Sequence, residues 1–390
     1  MPGFWRGFSL QAAGAGMFAA FVGFASSFAV VLHGFEAVGA TPAQAASGLM
    51  AVSLGMAACA IPLSLWLRMP ITVAWSTPAS ALMASTGMVK GGFAAAVAAF
   101  LFAALLMIVA GLVRPFGRAV SRIPTALASA MLAGVLLPLC LAPVQAMAQL
   151  PLVAGPTVLA WLLVGRVARL YAIPAALLVM VAAAVLTHTA APVAAAALWP
   201  HPLWIQPNWV PGTVLGLGVP VFVVTMASQN IPGLAVLNVN GYRPAPNLLF
   251  GATGLASLIA APFGSHAVNL AAITAAMCAG PEAHRDPQRR YWASVVNGAA
   301  YLVLGLLANA AAASMGAVPP VLIEAVAGLA LLGTFGHAML NALTEAPHRE
   351  AAIITFLTTA SGVSILGVGG AFWGLLAGGA MMALHRRRRP

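Results

Sequence analysis

Long apolar runs alternate with short polar joints along the whole chain. Cut at arginines, prolines and polar clusters, it gives runs at about 10–34, 42–67, 70–88, 91–113, 119–142, 144–165, 171–188, 211–238, 247–263, 264–281, 291–315, 319–343, 350–367 and 368–385. A hydrocarbon layer of roughly 30 Å takes about 20 apolar residues in helical form. The pattern therefore predicts an all-α polytopic membrane protein with about fourteen crossings. The first run continues to Leu32, too long for the apolar part of a cleaved leader, and is read as a retained helix. Between Ala190 and Pro211 the stretch LWPHPLWIQPNWVP carries Trp199, Trp204 and Trp209, which suits a segment at headgroup level.

Two runs do not read as ordinary spans. In Pro70-Ile-Thr-Val-Ala-Trp-Ser-Thr-Pro-Ala-Ser80 a β-branched start precedes Ser76-Thr77-Pro78, a short extended piece followed by a capped helix start. In Gly264-Ser-His-Ala-Val-Asn-Leu-Ala-Ala-Ile-Thr274, Asn269 is placed to cap a helix that continues through Met277. These are the third run of each half. Either they are half-helices that start at mid-membrane, or they are kinked helices packed by small residues. Two half-helix starts facing each other would aim free N–H groups and positive dipole ends at one pocket, which suits a carboxylate without any buried arginine.

Composition fixes the solvent. Of 390 residues, 62% are hydrophobic and 6% charged, against roughly 25% charged in soluble domains; lipid must surround most of the chain. The formal net charge of +11 does not signal nucleic acid, because the arginines stand singly or in short clusters between apolar runs. With the N-terminus inside, Arg6, Arg68, Arg114, Arg118, Arg122, Arg166, Arg169, Arg243, Arg285, Arg289, Arg290, Arg349 and Arg386 to Arg389 all fall on the inner face, and Glu36 and Lys90 on the outer. That alternation predicts both termini cytoplasmic. Cys59, Cys140 and Cys278 sit singly in apolar runs and suggest neither a disulfide framework nor a zinc site.

The halves echo each other. Ala25-Ser26, Gly39 and Pro42-Ala43 recur at one offset as Ala227-Ser228, Gly241 and Pro244-Ala245. With an odd number of crossings in each half, the second half must run inverted, a transporter signature.

Polar groups inside the spans are few. Thr225, Ser228, Gln229 and Asn230 precede Pro232, which is expected to break the helix; the cluster either lines a pocket or glues helices together. Ser26 and Ser27 hold the matching place in run one, as pocket or as packing serines. His266 is either a carrier of a coupling proton or a buried neutral imidazole. Glu324 is either interfacial or a proton site. His33 and Glu36 mark the outer end of run one. Residues 280–291 form the most polar stretch, either a latch of Glu282, Asp286 and nearby arginines or a solvated loop. An intramembrane enzyme would need a nucleophile–base or metal constellation at depth, which the scattered histidines do not supply. A channel would not accumulate its solute.

The strings AWSTPASAL (74–82), VTMASQNIPG (224–233), NLAAITAAMCAGPEAHRDPQRRY (269–291), AGLALLGTFG (327–336) and ITFLTTASGVSILGVGGAFWGL (354–375) resemble the bacterial benzoate transporter family, the BenE type, and the likeness extends over essentially the whole chain. The resemblance implies a benzoate–proton symporter of the inner membrane. It also implies kinship to the nucleobase and sulfate-carrier fold, two inverted repeats of seven segments whose third members are a short strand plus half-helix. On that pattern 1–115 and 209–316 form a core domain, and 116–208 and 317–390 a gate domain. Carried onto these positions, the substrate site would be Ser76, Thr77, Ser228, Gln229, Asn230, Asn269 and Leu270, with an aromatic ring packed near Trp75 and Phe222. His266 and Glu324 are the proton-coupling candidates; the carboxylates that nucleobase relatives use on the eighth and tenth segments are absent here, with Gln229 and His266 nearby, so the proton mechanism of those relatives does not transfer directly. The implied partners are a small aromatic carboxylate, protons, the bilayer and a second copy in a homodimer. No cofactor, metal or nucleic acid is expected.

Overall fold

Where the apolar pattern predicts a run, the described chain holds a helix, or a strand with a helix. The computed structural model describes residues 8–113, 124–187, 199, 201–271, 273–365 and 368–387. The first half comprises α1 (Leu10–Ala37), α2 (Pro42–Leu67), β1 (Val73–Trp75), α3 (Thr77–Thr86), α4 (Gly92–Leu112), α5 (Thr125–Gln149), α6 (Pro151–Val167) and α7 (Ala172–Leu186). The second comprises α8 (Pro211–Thr225), α9 (Ile231–Val239), α10 (Pro246–Ala260), β2 (Val268–Leu270), α11 (Ile273–Ala279), α12 (Tyr291–Leu306), α13 (Ala308–Gly316), α14 (Pro320–Thr344), α15 (Arg349–Ala360), β3 (Ser364–Ile365), β4 (Val368–Gly369) and α16 (Gly370–Arg387). Among the described residues seven helices are long and apolar enough to cross a membrane, α8 and α9 counting as one. A pair bent by 57° between α12 and α13 makes an eighth if taken as one span, and α6, α7 and most of α16 are shorter apolar helices. Arg6, Arg114, Arg118, Arg122, Arg388 and Arg389 lie outside the described residues, as does most of 188–200.

The third run of each half is a three-residue strand followed by a short helix, as the sequence predicts. β1 and β2 pair antiparallel, with Val73 opposite Leu270, Ala74 opposite Asn269 and Trp75 opposite Val268. Backbone bonds from Ala271 N to the Thr72 carbonyl (2.9 Å) and from Ser76 N to the Ala267 carbonyl (3.1 Å) extend the ladder equally on both sides. The pairing is centred on Ala74 and Asn269, as a local two-fold axis requires.

Helix packing obeys the same two-fold. α2 packs on α12 as α10 packs on α4, and α1 packs on α12 as α8 packs on α4. α2 and α10 pack on each other, as do α5 and α14. The echo in sequence has a common local cause. α1 and α9 both end in a Schellman turn: Ala40 N reaches the Phe35 carbonyl and Gly39 N that of Glu36, while Tyr242 N reaches Leu237 and Gly241 N reaches Asn238. The turn needs a left-handed residue, supplied by Gly39 (φ 105) and Gly241 (φ 87). The next helix starts on a proline in both halves, Pro42 and Pro246; Pro244, the residue at the common offset, falls two positions too early. The chain is thus an inverted repeat.

One expectation needs correcting. Pro232 does not break the eighth run. The helix continues from α8 to α9 through a π turn, Met226–Asn230, where Ile231 N bonds the Met226 carbonyl five residues back. Proline lacks an N–H, and widening the turn before it keeps the helix continuous.

The segment from 201 to 210 holds no helix or strand and ties down three helix ends. Leu203 N bonds Ser47 Oγ on α2 (2.9 Å), Ile205 N bonds the Pro262 carbonyl beyond α10 (2.8 Å) and Asn208 N bonds the Ala94 carbonyl of α4 (2.9 Å). Its tryptophans Trp204 and Trp209 are exposed, as is Trp199.

Lipid tails are as apolar as leucine, so close packing of small residues carries helix association in place of hydrophobic burial. The α5–α14 contact shows it: a Cβ on Gly328 would run into the Leu139 carbonyl and come within 2.8 Å of Pro143. Gly328→Ala is expected to lower the thermal unfolding midpoint in detergent, at about 1–3 kcal/mol for an overpacked contact. Gly336→Ala on the same helix, where a Cβ meets nothing within 4 Å, is expected to leave it unchanged.

Candidate functional site

The site grows from the start of α3. Ser76 caps this helix: its Oγ accepts the Ala79 amide (3.3 Å) and the Thr225 hydroxyl (2.9 Å), and its carbonyl accepts Ser80 N (2.9 Å). Pro78, in the first turn, has no N–H to satisfy. His266 is buried behind this start. Its Nε2 lies 3.1 Å from the Ser76 carbonyl and 2.8 Å from Ser80 Oγ, and its ring stands edge-on to Phe35. A carbonyl can only accept, so the network assigns the proton to Nε2; Nδ1 is buried without a partner.

On the other side of the strand pair, Asn269 does not cap a helix. It lies in β2, α11 begins at Ile273, and the Asn269 amide nitrogen donates to the Leu270 carbonyl (2.8 Å), leaving Oδ1 buried and unpartnered. The Leu270 amide is occupied by Asn230 Oδ1 (2.9 Å), while Asn230 Nδ2 faces Met226 Sδ (3.2 Å). Asn230 therefore fastens the π turn to β2. Ser228 is half-buried on the same turn.

A cavity of about 140 Å³ opens beside the strand crossing. Gly23, Ser26 and Ser27 of α1, Trp75 and Thr77, Gln229, Thr274 of α11, Tyr301 of α12 and Leu331 and Thr334 of α14 are among the residues lining it. Among the described residues no Lys, Arg, His, Asp or Glu does so. Ser26 and Ser27 hydroxyls both bond the Gly23 carbonyl, and Trp75 Nε1 donates to Ser27 Oγ (3.0 Å). Phe24 and Tyr301 pack edge-on to the Trp75 ring, at 5.5 and 5.6 Å.

Of the residues anticipated for the substrate, Thr77 and Gln229 line the cavity, and Ser76, Asn230 and Leu270 stand behind it in the hydrogen bonds that shape it. Trp75 lines it and Phe222 does not. Glu324 lies elsewhere, with Oε1 3.8 Å from His33 Nε2. Tyr301, Thr274 and Thr334 were not anticipated. Tyr301 carried one signal, being one of only 4 tyrosines and placed inside an apolar run.

The polar stretch 280–291 is a built loop. Arg290 is 7% exposed; its guanidinium donates to the carbonyls of His284 (2.7 Å), Ala279 (2.9 Å) and Arg285 (3.4 Å), so it caps the C-terminal end of α11. Asp286 pairs with Arg289 (3.7 Å), and Tyr242 ties α9 to the loop through the Pro287 carbonyl (2.8 Å). Glu282 joins through its carbonyl, which accepts from Gln11 (3.2 Å). Among the described residues no cluster of His, Cys, Asp and Glu could hold a metal ion.

Asn230→Ala would leave the buried Leu270 amide unpaired, at about 1–3 kcal/mol. Thermal unfolding is expected to show that loss, and Asn230→Asp, which keeps the acceptor, to show less of it.

Comparison with known proteins agrees with this architecture. Residues 7–384 match the family model described as benzoate membrane transport protein, BenE. The chain is 39% identical over 368 residues to the inner membrane protein YdcO of Escherichia coli (strain K12), covering 94% of this chain and 93% of that one. It is 32% identical over 370 residues to the benzoate membrane transport protein of Acinetobacter baylyi (strain ATCC 33305 / BD413 / ADP1), covering 95% and 94%. Among solved structures, the transmembrane domain of a cyanobacterium bicarbonate transporter BicA superposes with a TM-score of 0.59 at 15% identity, over 95% of this chain and 98% of that one. The murine Solute Carrier 26 family member A9 anion transporter does so with 0.60 at 13% identity, over 97% and 68%. These two share the fold. By the extent of the sequence match, the chain belongs to the BenE family of benzoate membrane transport proteins.

Proposed function

We propose that this protein imports benzoate or a similar small aromatic carboxylate together with protons, by alternating access. The supporting observation is the cavity at the strand crossing. Its volume of about 140 Å³ is close to the roughly 150 Å³ of an engineered cavity that takes up benzene. Trp75, Leu331 and Met277 offer apolar surface for a ring, and Ser26, Ser27, Thr77 and Gln229 offer hydrogen bonds for a carboxylate. With no cationic side chain among the described residues of the wall, the dipole of α3 and the Thr77 amide, which has no partner within its helix, favour the anion.

On this reading α1–α4 and α8–α13, within residues 1–115 and 209–316, form the core, and 116–208 with 317–390 form the gate. The cavity then lies between them, because α14 supplies Leu331 and Thr334 from the gate side. The protein works in the inner membrane with both termini cytoplasmic, as a homodimer, and His266 or Glu324 takes part in moving the proton. The second reading is another small organic anion, or a nucleobase, in the same cavity; the anion transporters that share the fold favour the former.

Purified protein in liposomes is expected to accumulate radiolabelled benzoate under an inward proton gradient and to lose that accumulation with a protonophore. Folded, active-preparation protein that ignores benzoate would sink the substrate assignment and leave the fold untouched. Gln229→Ala and Asn269→Ala are each expected to cut uptake about tenfold or more, the equivalent of about 1.4 kcal/mol; unchanged uptake removes that residue from the site. Gly23→Ala is expected to raise KM, because the added methyl would press on the Tyr301 hydroxyl and within 3.2 Å of Thr274, shrinking the seat.

A further inference from the structure

α1 and α14 meet at two levels. At one, Ser26 and Ser27 of α1 and Leu331 and Thr334 of α14 line the same cavity. At the other, His33 Nε2 of α1 stands 3.8 Å from Glu324 Oε1 of α14, with 18% and 34% of the side chains exposed. A helix rises 1.5 Å per residue, so His33 lies about 10 Å beyond Ser26 and Glu324 about 10 Å beyond Leu331. The two contacts follow one seam. The other ion pairs described above and the pair His348–Glu345 join residues three apart; this one ties two helices far apart in sequence. On the alternating-access reading it also ties core to gate.

We propose that His33 and Glu324 form one shared proton-binding site across this seam, present only while α1 and α14 stand in the register seen here. An imidazole and a carboxylate facing each other carry one negative charge; one added proton neutralises the pair and makes a charge-assisted hydrogen bond across the seam. Sliding α1 past α14 separates the partners and returns that proton to water. A ligand that binds one arrangement better than another shifts the population toward it, and here the ligand is the proton. Acid therefore favours the arrangement in which this end of the seam is tied. Glu36, one turn further along α1, and Lys90, in the turn after α3, are the other charged groups toward this end. α3 and α7 carry no titratable side chain; Cys140 of α5 is one residue from Leu139, which meets Gly328. Tyr301 and Cys278 belong to the cavity level, and Tyr291, His337, Arg349 and Glu350 to the far ends of their helices. His266 touches neither the cavity nor this seam, so it is not needed for the coupling. The proposal rests on the reading of the chain as a proton-driven carrier.

The test is hydrogen–deuterium exchange on the full-length protein in lipid nanodiscs, corrected for the intrinsic pH dependence of exchange, between about pH 8 and about pH 5. Peptides covering 28–37 and 320–326 are expected to gain protection together as the pH falls, and Glu324→Gln and His33→Gln each to abolish that step. A wild-type protein without the step, or either variant with a wild-type step, overturns the proposal. Benzoate plays no part in this readout, so wild-type protein that fails to take up benzoate sinks the substrate reading and leaves this inference standing. In liposomes both variants are expected to lose gradient-driven accumulation yet keep exchange between equal pools of benzoate. Loss of exchange too, in variants with wild-type thermal unfolding, overturns it by placing the pair in substrate binding.

Discussion

The antiparallel pairing of β1 with β2 is the constraint on which the rest of the structure depends. Inside a membrane an unpaired backbone amide or carbonyl costs several kcal/mol, so a chain cannot simply stop being helical at depth. Here each interrupted segment satisfies the other. The ladder from Thr72–Ala271 to Ser76–Ala267 supplies the bonds that neither stretch could make alone. Once they are made, α3 and α11 can begin deep in the protein, and space beside the crossing can be lined by polar groups. Ser76 and Asn230 finish the accounting: one holds the first turn of α3, and the other ties the neighbouring π turn to the edge of β2.

That accounting explains the division of labour among the polar residues of the site. Ser76, Asn230 and His266, whose side chains bond other parts of the fold, are buried supports. Those facing the cavity, Thr77, Gln229, Ser26 and Ser27, hang on the frame they make. Ser76 and Asn230 each lie one position from a lining residue in sequence, so a motif of polar residues in an apolar run mixes both kinds.

The same point explains what could be read beforehand. The elements were legible because lipid imposes a length and a hydropathy that repeat along the chain. The Ser-Thr-Pro cap was legible because its chemistry is local. The inverted repeat showed through Gly39 and Gly241, since a Schellman turn admits few other residues. Asn269 was misplaced as a cap because a strand residue and a cap residue look alike when the partner strand is nearly two hundred positions away. Pro232 was read as a break because the widened turn that absorbs it is a property of the whole helix. Thr334 had no local mark, and the rarity of tyrosine marked Tyr301 only as unusual, because the place of each beside the cavity comes from a neighbour in the other half of the fold. The His33–Glu324 contact, joining the end of one helix to the start of another, had no sequence signature at all.

The two-fold axis through the strand pair relates a frame whose contents differ. Trp75 and Ser76 of the first repeat stand where the second has Leu270 and Ala271. In a carrier with two identical repeats, exchanging their conformations would turn the inside-open form into the outside-open form at no cost, and the empty protein would spend equal time in each. Every departure from identity tilts that balance. On the proposed alternating-access reading, the differences that would make one side of the crossing a seat for a ligand also set the direction in which the unloaded carrier rests, so specificity and resting orientation would be coupled.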